Sequence, residues 1–136
     1  MAKFKGYLIK LGNVVFPHEY IALDSYTSTD NQRTELKAYR NAQNHLIRQT
    51  SPNFKTKIEF NTINGLNLSD MEKIKSIIDR ATINKTERKV KVEYWNNEEL
   101  QYKTMTCYMP DIEHPIKKIT KDDVIYNGKR LAFIEY

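Results

Sequence analysis

The chain carries one thiol and three imidazoles, Cys107, His18, His45 and His114, the residue types from which nucleophilic or metal-assisted chemistry is built. A nucleophile needs a base within hydrogen-bonding reach, and no spacing here brings a histidine to Cys107. Cys107 stands in a strand-like run and reads as a small buried hydrophobe. No two histidines lie four residues apart, and a single cysteine cannot supply a structural zinc site. Asp111, Glu113, His114, Asp122 and Asp123 form an acidic group, but their spacing fits no calcium loop and reads as a solvated loop. There is no G-x-S-x-G elbow, no G-x-x-x-x-G-K-[ST] loop and no G-x-G-x-x-G, so the familiar hydrolase, phosphate-cradle and dinucleotide chemistries have no signature. The expectation is a protein that binds other macromolecules, with no catalytic residue, no metal and no cofactor.

The rest of the composition fits that class. With 136 residues, 40% of them hydrophobic, the chain can bury a core as one domain over residues 1–136 without disulfide support. No apolar run approaches the roughly 20 residues that span a bilayer, and Met1-Ala2-Lys3-Phe4-Lys5 opens no secretory leader. We therefore expect a soluble protein without a membrane partner, at home in a reducing compartment. A net charge of +5 permits an acidic partner such as nucleic acid. The cations are scattered, however, and the densest group, Lys85, Arg88, Lys89 and Lys91, is interrupted by Glu87 and reads as a loop running into a solvated strand face.

Strand signals dominate the elements that must position any functional residue. Phe4 to Leu11, the turn Gly12-Asn13 and Val14-Val15-Phe16 read as a hairpin, and Tyr20 to Thr27 as a further strand. Thr34 to Gln49 is ambiguous: Leu36, Tyr39, Gln43, Leu46 and Ile47 could share a helix face, while Asn41, Asn44 and His45 are poor helix formers. From Phe54, strict alternation through Thr62 marks a half-buried strand. Ser69 and Glu72 have capping-box spacing, so a helix is expected from about Leu68, with Met71, Ile74, Ile77, Ile78 and Ala81 on its packed side. Val90 to Tyr94 and Leu100 to Met109 form a hairpin across Asn96 to Glu99. Pro110 and Pro115 bracket a loop, and Val124 to Tyr126 precedes an Asn127-Gly128 turn and a last strand, Leu131 to Tyr136. The fold class is mainly β with one amphipathic helix (α+β), a sandwich or barrel of about seven strands.

The order of these features resembles the distal-tail class among the small tail-module proteins of long-tailed phages and prophages. The residues that carry the resemblance are Ile9 to Pro17; Arg40-Asn41-Ala42 followed by polar residues and the strand Lys55 to Phe60; and Leu66-Asn67-Leu68-Ser69 opening the helix. Val92-Glu93-Tyr94, Lys103 to Met109 and Leu131 to Tyr136 complete it. Where that family commonly has a glycine after the R-x-A segment this chain has Asn44, which tolerates a left-handed backbone. The resemblance implies that residues 33–62 form an extended hairpin, and that the fold is a tail-tube-like β-sandwich. It also implies a virion structural protein that forms a homo-oligomer, most often a hexameric ring, assembled in the host cytoplasm. Its partners would be other tail proteins: tail tube, tape-measure, tail-tip or baseplate proteins. The expected interface residues are Arg40, His45, Leu46, Ile47 and Arg48 of the hairpin, with Tyr94 and Trp95 as exposed aromatic anchors. The alternative is a basic nucleic-acid-associated module of phage origin; an enzyme with an unfamiliar site between Asp111 and Asp123 is a third reading.

Overall fold

A computed structural model describes residues 4–33 and 35–136. Strands occupy 52% of the described residues, and these hold one α-helix, which fixes the class as mainly β. Among the described residues twelve strands appear where the sequence predicted about seven: β1 (Ile9–Leu11), β2 (Val14–Val15), β3 (Ile21–Gln32), β4 (Glu35–Arg40), β5 (Leu46–Thr50), β6 (Lys55–Thr62), β7 (Thr82–Asn84), β8 (Lys89–Asn96), β9 (Gln101–Tyr108), β10 (Ile116–Ile119), β11 (Val124–Tyr126) and β12 (Arg130–Glu135). The additions are β4 and β5, in the stretch whose periodicity is ambiguous, and short pieces such as β7 and β10, too brief for periodicity to mark them.

Eight strands make one antiparallel sheet in the order β2-β1-β8-β9-β12-β6-β3, with β7 also paired to β8. Laid flat, β2 and β3 at the two edges would be about 29 Å apart at the usual strand spacing. Yet only Phe16 to Tyr20 join them, a link that reaches at most about 20 Å. The sheet therefore curls strongly. Two contacts across its interior agree: the Phe16 and Phe60 rings lie 5.4 Å apart, and the Tyr94 and Thr56 hydroxyls, from β8 and β6, are 3.0 Å apart. Ile9, Leu11, Val90, Val92, Ile58, Phe60, Leu131 and Phe133 fill the core, each 1% exposed or less.

Helix α1 (Leu68–Ala81) buries Ile74 and Ala81 and sets Ile77 and Ile78 against this core. Its start differs from the sequence expectation. Asn67, not Ser69, is the cap: its side chain accepts from the Asp70 N–H at 3.0 Å, and the Asp70 carboxylate accepts from the Asn67 N–H at 3.3 Å. Asn serves as well as Ser in this position, and Asp70 takes the reciprocal role foreseen for Glu72. Gly12, at φ +59°, turns β1 into β2 with its Cα side against Ala81. Gly128 has a different reason to be glycine, since a Cβ there would sit 2.3 Å from the Thr62 carbonyl oxygen.

Residues 35–50 are extended: β4 and β5 pair antiparallel in a sheet of their own. The helical face considered for this stretch is absent, and Thr34 lies outside the described residues. The turn explains the choice. Asn41 accepts from the backbone N–H groups of Gln43 and His45, both at 3.0 Å, and Asn44 sits at φ +64°, the left-handed backbone that asparagine tolerates.

Candidate functional site

The β4–β5 hairpin continues the ribbon formed by β3 and β6, whose last pair is Gln32 with Lys55. At strand rise, six residues make it about 20 Å long. Every residue of β4 and β5 is exposed. Register places Tyr39 beside Ile47 on one face, and Arg40 beside Leu46 and Ala38 beside Arg48 on the other. Leu36, Tyr39, Leu46 and Ile47 are 66%, 48%, 51% and 36% exposed, so the arm shows apolar side chains without a covering layer. A two-stranded hairpin is marginal alone in water, and local bonds hold this one: the Arg48 guanidinium to Glu35 at 2.6 Å and the Arg40 guanidinium to the Asn44 carbonyl at 3.0 Å.

The base of the arm is clamped. Arg33 donates twice to the Glu98 carboxylate, at 3.1 and 2.8 Å, and its guanidinium lies over the Phe54 ring at 4.6 Å. The bidentate pair holds the carboxyl of Glu98 below the usual carboxylate range. Arg33 thus ties the base of the arm to the β8–β9 turn through Glu98 and to the arm's own return segment through Phe54.

Five of the seven predicted interface residues, Arg40, His45, Leu46, Ile47 and Arg48, meet at the outer part of this arm. Tyr94 and Trp95 do not belong with them, and their expected exposure is corrected. Tyr94 is 3% exposed and faces the core; Trp95 is 8% exposed. The N-terminal segment covers Trp95, with the Phe4 ring edge-on at 5.2 Å and Tyr102 at 5.1 Å. Tyr102 is itself stacked on Tyr7 at 4.7 Å and donates to the Tyr7 carbonyl. Leu36 and Tyr39 were missed as surface residues because the stretch is ambiguous in sequence, with both on one possible helix face; the signal against a helix was Asn41 and Asn44 between them and Leu46.

The groups that could do chemistry are dispersed. Among the described residues, no three His, Cys, Asp or Glu side chains converge as metal ligands. Asp123 accepts from the Leu68 N–H at 3.0 Å at the start of α1, and Asp111 lies 3.5 Å from Arg88. Cys107 is fully buried, and burial pushes its thiol up to about 12, which leaves no thiolate near neutral pH. Much of the positive charge is paired locally, as in Lys75 with Asp79, Lys103 with Glu99 and Arg130 with Glu59.

The chain belongs to DUF6711, a family of unknown function. The family model matches residues 1–136. Comparison with curated proteins and with solved structures gives no match.

Proposed function

We propose that this protein is a ring-forming structural subunit of the tail of a long-tailed phage or prophage, of the distal-tail class, and that it acts by assembly and not by catalysis. The observation that carries this reading is the β4–β5 arm: a clamped, two-stranded extension with Leu36, Tyr39, Leu46 and Ile47 in solvent. Exposed apolar side chains on an aimed element favour a partner surface. An arm that leaves its own subunit and lies on a different surface of the next makes a head-to-tail contact, and such contacts close into rings when the rotation allows. In this reading the curled sheet is a tail-tube-like sandwich whose edges face neighbouring subunits, and the other occupants of the assembly are tail proteins.

The test is the solution mass of the full chain by light scattering across concentration, together with negative-stain images. A discrete multi-subunit species with ring-shaped particles is the expected result. A monomer at every concentration, with no ring in the images, overturns the proposal.

A further inference from the structure

A cavity of about 430 Å³ opens between α1, the loop before β10 and the start of β12. Leu68, Met71, Ile74 and Ile78 of the helix, Ile112 of the loop and Leu131 of β12 give it apolar walls. One charged group is set into them. Lys129 is 4% exposed, and its ammonium lies 2.9 Å from the Met71 sulfur, 3.4 Å from His114 Nδ1 and 5.8 Å from the centre of the Tyr126 ring. All three neighbours line the cavity.

None of these neighbours is an anion. A thioether is a weak acceptor, and an imidazole beside a cation gains nothing by charging. Arg88 also lines the cavity, and burial together with Lys129 and Arg88 pulls the His114 pKa down. Asp79 and Glu72 line it from the helix, but Asp79 is taken by Lys75 at 2.7 Å and no carboxylate among the described residues pairs with Lys129. Burial alone draws the Lys129 pKa below the ordinary lysine value. An unpaired ammonium held in an apolar wall is costly, and the chain that carries it is fixed in place. Its backbone is pinned on both sides of the peptide unit: the Lys129 N–H donates to the Thr62 hydroxyl at 3.0 Å and its carbonyl accepts from the Thr62 N–H at 2.9 Å. Gly128 ahead of it donates to Asn64 at 2.7 Å.

We propose that this cavity is a binding site for a small organic carboxylate with an apolar body, the carboxylate on the Lys129 ammonium and the body along Leu68, Ile74, Ile78 and Leu131. A volume of this size, apolar walls and one or two convergent polar groups are what small-molecule sites share. The site stands apart from the arm, so its fate and that of the assembly reading are separate.

Titration calorimetry with the full chain tests it, with octanoate as the probe and 1-octanol and acetate as controls for charge and for the apolar body. Octanoate is expected to bind saturably at one site per chain, and more tightly than either control. Lys129→Met, which keeps the stem and removes the charge, is expected to weaken octanoate at least about tenfold while leaving octanol unchanged. The octanoate and octanol comparison on the unaltered chain needs no variant, so it decides even if Lys129→Met does not fold. No saturable octanoate binding up to about 10 mM, or equal binding of octanoate and octanol, overturns the proposal, as does undiminished octanoate binding to a folded Lys129→Met.

Discussion

Replacing Leu46 and Ile47 together by glutamate separates the arm's role in assembly from any role in folding. In the isolated subunit these side chains are 51% and 36% exposed and lie outside the core, so each change should cost the fold no more than about 0.5 kcal/mol. In an assembled ring the same side chains would be covered. Full burial of such a side chain is worth about 1.5–3 kcal/mol, and roughly half of that remains to be gained, so losing both removes about 2 kcal/mol per junction. Two buried carboxylates add at least about 1 kcal/mol against association. A junction weakened by about 3 kcal/mol loses roughly 150-fold in affinity, and in a closed ring every junction loses it. The assay is light scattering across a concentration series, paired with thermal unfolding of the same samples. The double variant should remain monomeric where the unaltered chain assembles, with an unfolding midpoint that differs little once both are compared as monomers. An unchanged assembly curve refutes the reasoning, because the arm would then carry none of the contact.

Three other outcomes follow from single features. Asn67→Ala removes the reciprocal cap of α1 and should cost about 1 kcal/mol, read as a midpoint lowered by about 2–5 °C with assembly intact. Phe4→Ala uncovers Trp95, the one tryptophan of the chain, so its emission should move to longer wavelength and become open to acrylamide quenching; unchanged emission argues against the N-terminal cover. Lys129→Met should raise stability near neutral pH. Burial depresses the folded-state pKa of Lys129, so the unfolded chain binds the proton more readily; the penalty is full below the folded pKa and fades as pH rises to the unfolded value of about 10.4. The gap between variant and parent should therefore shrink toward high pH, and a gap that stays constant excludes the charge as its source.

The sequence was most legible where one physical rule acted alone. Strict alternation from Phe54 to Thr62 was enough to identify β6, and the apolar stripe with a nearby cap marked α1, although Asn67 and Asp70 carry the capping box that Ser69 and Glu72 also spell. Residues 34–49 were ambiguous because Leu36, Tyr39, Leu46 and Ile47 satisfy a helical period by coincidence; what decides between the two forms is the asparagine turn, whose side-chain bonds no periodicity records. The exposure of Tyr94 and Trp95 misled for a related reason. Tyr94 shares the inward face with Val90 and Val92, which alternation does show, but the cover over Trp95 comes from its cross-strand neighbour Tyr102 together with Phe4, more than ninety positions away in the chain.

Lys129 shows the same limit more sharply. In the sequence it is an ordinary lysine after an Asn-Gly turn, and cations beside turns are usually solvated. It is buried because Gly128 lets the chain pass against Thr62, because Thr62 holds both polar groups of the next residue, and because α1 and the loop through His114 then close over the side chain. Each step joins elements distant in the chain. The arm and the cavity thus rest on opposite kinds of information: the arm on local turn chemistry that frees apolar side chains into solvent, the cavity on long-range packing that draws a charge out of it. Binding measured at one and assembly measured at the other should respond to separate substitutions, and Lys129→Met should leave the arm's assembly curve unmoved while Leu46→Glu with Ile47→Glu leaves octanoate binding unmoved.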